Sequence, residues 1–322
     1  MRKFSNQQGM TLVELMISMA IGMFLILGAI TVYSQGRQNY QSNEGIARLQ
    51  ENMRFALDVM EPDIRLAGYW GMHNRGGDVF STGMVATCDG NNITAWVLNT
   101  SDGLVAVNNV QAADADEIAT NCSTFGDGIV VDTDFLVVRH ASGSRKPFDA
   151  GTIQVQSALA EAHMFNDGNL HLKYTEFDAE ETGTHNVVVN VWYISRDSNS
   201  MAGVPSLRRR TLQGSDMVDE EVIAGVENLQ IQFGIDTDLK GGDGSIDRYV
   251  DAEDAALAGN KILAIRIWLL IRSTEEERGF VDGRTYTPLD ATLNPIVPND
   301  QFRRIQASKT IFVRNFQREE IF

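Results

Sequence analysis

The sequence is poor in the residue types that most often mark an enzyme or a nucleic-acid-binding protein. Its 322 residues include five histidines, two cysteines and six prolines, and 27 basic residues stand against 43 acidic ones, for a formal net charge of −16. We expect no nucleic-acid partner, because non-specific binding depends on neutralising phosphates with Lys and Arg. Hydrophobic residues make up 43% of the chain, which is enough for a folded core and excludes global disorder.

Motifs for catalysis are missing as well. The histidines are scattered without an HExxH or a Cys/His cluster, and we interpret them as surface or turn residues; they are His73, His140, His163, His171 and His185. No serine lies in a G-x-S-x-G setting, and no glycines form a P-loop or a Rossmann turn. The sequence therefore predicts a protein without catalytic activity.

Charge is almost missing from Met10 to Val32, where Glu14 is the one charged residue and Arg2 and Lys3 precede the run. About 20 apolar residues let a helix cross a bilayer core. A carboxylate inside such a span costs roughly 2.5–3.5 kcal/mol on insertion scales, so Glu14 indicates a partner such as an amine. A secretory signal peptide or a plain signal anchor is the alternative, but no clear Ala-x-Ala site ends the run.

The junction before this run reads Gly9-Met10-Thr11-Leu12-Val13-Glu14. It resembles the class III leader of type IV pilins and of type II secretion pseudopilins. The resemblance implies that a prepilin peptidase cuts after Gly9 and methylates the new N-terminus at Met10, where the family usually has Phe. It also implies that Glu14 pairs with the terminal amine of a neighbouring subunit during assembly.

The helix is predicted to continue past the span, with Pro62 or Gly68 ending it. Apolar residues recur at spacings of three and four: Ile46, Leu49, Met53, Ala56, Leu57, Met60 and Ile64. We therefore divide the chain into a leader at 1–9, a transmembrane half of the stem helix at 10–32, an amphipathic half at 33–66 and a β-rich head at 67–322.

The head is predicted to be an antiparallel sheet that receives the stem helix, with a loop-rich insertion at about 72–185. Alternating or apolar runs predict five strands, Asn186–Ser195, Ser206–Leu212, Val226–Ile235, Lys261–Arg272 and Ser308–Phe316. In the fourth, the alternation predicts that Leu263 and Ile265 face the core. The fold class is α+β, a long N-terminal helix on an antiparallel sheet, as in type IV pilins.

The two cysteines, Cys88 and Cys122, are predicted to form a disulfide. If Arg2 and Lys3 stay in the cytoplasm, the positive-inside rule places both cysteines in an oxidising compartment. Two free thiols or a metal pair are the alternatives, although no other Cys or His lies at metal spacing beside either one.

Further motifs resemble the PilW family of minor pilins: Val191-Trp192-Tyr193-Ile194, Glu220 to Phe233, Asp247 to Val250, Asn52 to Ala56 and Ile64 to Tyr69. The resemblance implies a single-pass inner-membrane protein with a cytoplasmic N-terminus and a periplasmic head, which primes type IV pilus growth from a tip or initiation complex. Its implied partners are the other minor pilins, the major pilin, the prepilin peptidase, the inner-membrane assembly platform and a tip adhesin. A minor pseudopilin of type II secretion is one alternative, and a membrane-anchored adhesin or binding protein that never polymerises is another.

Four aspartates, Asp236, Asp238, Asp243 and Asp247, follow the strand that ends at Ile235. Alternating aspartates with Asp-Gly resemble a calcium loop, because Ca²⁺ takes six to eight oxygen ligands. The spacing is longer than in an EF-hand and the distal Glu is missing, so a metal-free acidic hairpin turn is the alternative.

The run Arg208-Arg209-Arg210 is interpreted as a solvated face that discourages pairing with another strand at the sheet edge, rather than as a docking patch.

Overall fold

The computed structural model describes residues 9–73, 76–81, 83–111, 122–158, 161–169, 171, 183–238 and 243–315. Leader residues 1–8 and Phe316, the last residue of the fifth predicted strand, lie outside this part. The chain divides into two compact units, Met1–Arg48 and Leu49–Phe322. An N-terminal helix and a β-rich head confirm the predicted α+β class.

The first unit holds the start of helix α1 (Leu12–Leu66). Large apolar side chains such as Leu12, Phe24 and Ile30 are more than half exposed there. Within the described chain, α1 is the one helix that is long and apolar enough to cross a membrane. Lipid would cover this apolar surface, which is unfavourable in water.

The second unit begins with the last turns of α1, which are amphipathic. The side chains buried on this helix are Leu49, Met53, Ala56, Leu57, Met60, Asp63 and Ile64. Pro62 lies inside the helix, and α1 ends four residues later at Leu66. Gly68 follows with φ 72°, a left-handed conformation that glycine adopts readily and that turns the chain out of the helix.

Fourteen strands follow along the described chain: β1 (Val79–Ser81), β2 (Thr87–Cys88), β3 (Asn91–Asn92), β4 (Leu104–Val107), β5 (Phe135–Ala141), β6 (Gln154–Ser157), β7 (Ala162–Phe165), β8 (Gly183–Ser195), β9 (Ser206–Gln213), β10 (Asp216–Ala224), β11 (Val226–Asp236), β12 (Arg248–Asp251), β13 (Lys261–Arg272) and β14 (Arg304–Phe312). A short helix, α2 (Thr94–Val97), lies between β3 and β4.

The first sheet has ten strands in the order β1-β7-β6-β8-β9-β10-β2-β3, and β5 pairs with β8 and with β4 beside this path. The region at 72–185, predicted to be loop-rich, supplies the short strands β1 to β7 of this sheet.

The second sheet has the order β12-β11-β13-β14 and is antiparallel throughout. Its pairing shifts by one residue where Gly234 faces Ala264 and Ile235 faces Ile262. This bulge turns Ile262 into the core in place of Leu263, so the prediction for Leu263 is wrong. Strand β14 begins four residues earlier than predicted and ends at Phe312.

The largest core cluster joins α1 to both sheets. It combines the buried helix residues from Leu49 to Ile64 with Leu136, Trp192 and Leu207 of the first sheet and Ile231 and Ile267 of the second. A second cluster, which includes Trp70 and Tyr193, lies within the first sheet and the segments around it. The last turns of α1 are thus an integral part of the core.

Candidate assembly site, disulfide and acidic loop

Glu14 lies in the first turn of α1 and forms a capping box with Thr11. The backbone N–H and the hydroxyl of Thr11 each donate to Glu14 Oε2 at 3.0 Å, and the Glu14 N–H donates back to Thr11 Oγ1 at 3.3 Å. This pairing satisfies two N–H groups that the helix start would leave unpaired. The other oxygen, Oε1, accepts no hydrogen bond from the described part of the chain, so the carboxylate can still receive a donor. Gly9 and Met10 precede this turn and are exposed.

Cys88 of β2 and Cys122 form a disulfide with a Cα–Cα distance of 5.4 Å. Both cysteines are buried in the second core cluster. The backbone N–H of Ser123 donates to the Asp89 side chain at 2.6 Å, which ties the same two segments together. The structure thus contains the predicted disulfide.

Three of the four predicted aspartates come together after β11. Carboxylate oxygens of Asp236, Asp238 and Asp247 all lie within 4.8 Å of one another, whereas Asp243 is not part of this group. Asp236 is buried, and the other two carboxylates are exposed. Repulsion from Asp247, followed by burial and by repulsion from Asp243 and Asp236, raises the pKa of Asp238 above its usual value.

The same carboxylates also support the turn by themselves. Asp236 accepts the N–H groups of Asp238 and Gly244 at 3.1 Å, and Asp247 accepts the N–H and the hydroxyl of Thr237 at 2.7 and 2.8 Å. The three bonds from N–H groups are side-chain-to-backbone bonds typical of acidic turns. The arrangement therefore fits both sequence interpretations, a calcium loop and a metal-free turn.

A polar site that sequence reasoning missed lies at Asp63 on α1. Its carboxylate is buried, accepts hydrogen bonds from Asn190 and Trp192 of the first sheet, and lies 2.9 Å from His140 Nε2. Asp63 occupies the apolar stripe that runs through Met60 and Ile64. An acidic residue on such a stripe indicates a buried partner, because an unpaired buried charge is costly.

A second polar contact holds the exposed side of the same helix segment. Lys309 of β14 pairs with Asp58 at 3.0 Å and with Glu61 at 2.6 Å. Hydrogen bonds from Lys309 hold the pKa of both carboxyls below their usual values. The two helix carboxylates and Lys309 thus join α1 to the edge of the second sheet.

Two interpretations of the sequence are wrong, because residues that were expected at the surface are buried. Arg208 and Arg210 are almost fully buried, and Asp219 pairs with Arg208 and, at 3.4 Å, with Arg210. Charge pairing within the sheet explains the basic run better than a solvated face does. His73, His140 and His185 are buried rather than surface residues.

Asp134, just before β5, is an almost fully buried carboxyl that accepts the N–H groups of Asn109 at 3.0 Å and Ile231 at 2.6 Å. Burial, with repulsion from Asp290 and Asp251, raises the pKa of Asp134 to about 7, against the lowering effect of those two hydrogen bonds. No Lys or Arg of the described ranges lies within ion-pair distance of it.

Two family models match the chain. Residues 191–315 match PilW, described as Type IV Pilus-assembly protein W, and residues 4–30 match the prokaryotic N-terminal methylation motif. Among solved structures, the chain is similar to a type IV-like pilin from Thermus thermophilus, at 12% identity and a TM-score of 0.35, over 84% of this chain and 98% of that one. No curated protein matches the chain.

The leader motif and the pilus-assembly region make the chain similar, over residues 4–30 and 191–315, to the class of type IV pilin-like proteins, and α1 is long and apolar enough to anchor it in a membrane. This class is structural rather than catalytic. Within the class the chain is PilW-like, which confirms the resemblance to type IV pilus minor pilins.

Proposed function

We propose that this chain is a minor pilin that primes type IV pilus assembly and lies in a tip or initiation complex. The observation that carries the proposal is the presence of a methylation leader motif at 4–30 and a PilW region at 191–315 in one chain. The leader, residues 1–9, would be removed by the prepilin peptidase. The new N-terminus would be N-methylated Met10.

In this proposal residues 10–32 span the inner membrane, with the N-terminus in the cytoplasm, and residues 33–66 carry the helix into the periplasmic head, residues 67–322. The exposed apolar side chains around Phe24 would pack against helices of the other minor pilins and the major pilin. The assembly platform of the inner membrane would incorporate the subunit, and the head would contact its neighbours, including a tip adhesin.

Glu14 would set the axial position of the subunit. Its Oε1 is open to a new donor, and a neighbour's N-terminal amine is a cation that would neutralise the carboxylate within lipid. Such a pair is favourable because an isolated charge in the membrane is expensive. The capping bonds from Thr11 hold the carboxylate at the helix start, so less side-chain freedom is lost on pairing.

The acidic loop is a separate part of the proposal. Asp236, Asp238 and Asp247 would supply oxygen ligands to Ca²⁺, and Asp243 is close enough to repel Asp238. Bound Ca²⁺ would remove the repulsion that raises the pKa of Asp238. The metal would stabilise the loop after β11 and contribute no catalysis.

The test compares sheared pili with inner membranes by mass spectrometry, for wild type, Glu14→Gln and the matched control Glu44→Gln. Glu44 is an exposed helix residue that pairs with Arg48 at 2.7 Å. We expect wild type and Glu44→Gln in pili, beginning at N-methylated Met10, and Glu14→Gln in membranes but not in pili. An uncut Met1 terminus, absence of wild type from pili, or normal incorporation of Glu14→Gln would contradict the proposal. Recovery only with secretion pseudopili would favour the pseudopilin alternative.

A further inference from the structure

Strand β14 forms one edge of the second sheet and pairs with β13 on one side only. Its nine residues pair with residues 264–272 without a register shift, and none of them is proline. Natural proteins usually keep edge strands short, bulged or interrupted by proline, because unpaired backbone groups attract another strand. Strand β14 has none of these three features.

The pairing with β13 shows which backbone groups of β14 are free. Just beyond the strand, the Val313 N–H donates to the Leu263 carbonyl at 2.9 Å, and hydrogen-bonded pairs alternate along an antiparallel ladder. The odd-numbered residues of β14 therefore bond to β13, and the N–H and C=O groups of the even-numbered residues point away from it. The outward-facing residues after Arg304 are exposed, and they are Gln306, Ser308, Thr310 and Phe312.

No other backbone group in the described part of the chain bonds to this outward edge. Residues 306–312 cover about 20 Å at about 3.4 Å per residue, which is the length of a typical strand. Donors and acceptors spaced in this way match the backbone of one extended polypeptide segment.

A groove lies beside this edge, between β14 and α1. Met53 and Leu57 of α1 and Ile305 and Ala307 of β14 are among the residues that line it. The side chains of an added strand would alternate between the two faces of the sheet, so every second one would cover this apolar surface. The groove therefore favours a segment with an apolar residue at every second position.

The edge is basic in a chain that is otherwise acidic. Residues 303–315 include four cations and no carboxylate, whereas the whole chain has a net charge of −16. Carboxylates of other segments neutralise three of these cations, namely Arg303, Arg304 and Lys309. Arg314 is exposed, and the Arg54 side chain beside the groove is 85% exposed and pairs with Asp58 at 3.4 Å. Because an exposed pair of this kind contributes little, Arg54 and Arg314 are both available to acidic residues of a partner.

We propose that the free edge of β14 is the docking site for an extended, acidic segment of a neighbouring pilin-like head, which adds to the second sheet as a fifth strand. The backbone of β14 supplies the hydrogen bonds, the groove receives apolar side chains, and Arg54 and Arg314 select acidic ones. This docking site rests on the proposed function, because assembly into a pilus is what brings a neighbouring head to β14.

The first test replaces Ser308 and measures the recovery of the full chain in sheared pili by mass spectrometry. Ser308→Pro removes an outward N–H and no bond to β13, and an edge strand tolerates proline at such a position. We expect about tenfold less of this variant in pili, because the partner's carbonyl loses its donor, while its urea unfolding stays close to that of wild type. The control Ser308→Ala keeps the N–H and should be recovered like wild type. Equal recovery of the two variants would overturn the proposal.

The acidic character of the partner has its own pair of variants. Arg314→Glu should lower the recovery in pili, since it reverses the charge that the acidic segment meets, whereas Arg314→Lys keeps the charge and should be recovered like wild type. Equal recovery of these two variants would overturn the assignment of an acidic partner.

The second test needs no variant and decides the matter even if Ser308→Pro does not fold. Hydrogen exchange at single-amide resolution compares wild type in detergent micelles with wild type in sheared pili. We expect the Ser308 and Thr310 amides to exchange freely in micelles and to be protected in pili. The Ala307 and Lys309 amides face β13 and should be protected in both states, which makes them the internal control.

The outcomes separate this docking site from the proposed function. Absence of wild type from pili would contradict the proposed function and the docking site together. Wild type that is incorporated with freely exchanging Ser308 and Thr310 amides would overturn the docking site alone. Protection of both amides already in micelles would mean that residues 316–322 or a second copy of the chain cover the edge, and would also overturn it.

Discussion

Opening the Cys88–Cys122 disulfide should lower the free energy of unfolding of the head by about 4 kcal/mol. The cross-link joins residues 34 positions apart, and the chain-entropy relation for a loop of this length gives an unfolded-state entropy loss of about 12 to 13 cal/mol/K, or about 4 kcal/mol at 25 °C. That amount is a large fraction of the 5–15 kcal/mol typical of a domain. The assay is urea unfolding of the full chain in micelles, with and without a reductant.

The double variant with alanine at Cys88 and Cys122 separates the cross-link from the packing of the sulfur atoms. Both cysteines are at most 5% exposed, so alanine also removes buried atoms, and the variant should be slightly less stable than reduced wild type. Its stability should not respond to the reductant, which makes it the control for other effects of that reagent. Oxidised and reduced wild type that differ by less than about 1 kcal/mol would refute the chain-entropy reasoning.

Three further predictions concern the head. Asp134 has a folded-state pKa of about 7, against 3.8 for the free residue. Its contribution to stability is therefore complete below about pH 4 and is lost as the pH rises to 7, by about 4 kcal/mol in total. Urea unfolding between pH 4 and 7 should show a shallower decline in the free energy of unfolding for Asp134→Asn than for wild type. Gly103→Ala should lower the free energy of unfolding by about 1–3 kcal/mol, because a Cβ there would lie 2.7 Å from the Gly68 Cα. The control Gly77→Ala, whose Cβ would have its nearest atom at 3.7 Å, should be nearly neutral in the same assay. Calcium should raise the melting temperature of the full chain and should not do so for Asp236→Asn; the absence of both a calorimetric heat and a melting shift in wild type would remove the calcium interpretation.

The sequence predicted the elements whose periodicity is long and regular. The apolar stripe from Leu49 to Ile64 identified the packed face of α1, and the runs at Val226 and Lys261 identified the central strands of the second sheet. Periodicity over many residues survives local irregularity, which is why these predictions were correct in type and nearly correct in length.

Prediction failed where the structure depends on contacts that are distant in sequence. Strands β2 and β3 are two residues long each, too short to show a period, and they pair with each other and, through β2, with the distant strand β10. The bulge that exchanges Leu263 for Ile262 is set by the pairing with β11. A strictly alternating pattern contains no sign of it.

The candidate sites also divide into those marked by a local sequence motif and those that depend on contacts distant in sequence. Glu14 could be nominated because its neighbours in sequence form the motif, and its capping partner Thr11 is three residues away, but its assembly role stays a prediction. Asp63 could not be paired in advance, since His140 is 77 residues away and Trp192 is 129 away. The buried Arg208 was mistaken for a surface residue because its partner, Asp219, belongs to β10, a strand that the sequence pattern did not reveal.

The packing of the last turns of α1 against residues of both sheets has a practical consequence for making a water-soluble version of this protein. Deleting the whole of α1 as a membrane anchor would leave the apolar faces of both sheets open to water, because Met53, Met60 and Ile64 fill the space they share. A truncated chain that keeps every residue from Leu49 onward retains this part of the core. We expect a chain beginning at residue 67 to aggregate on expression, and one beginning shortly before Leu49 to stay in solution.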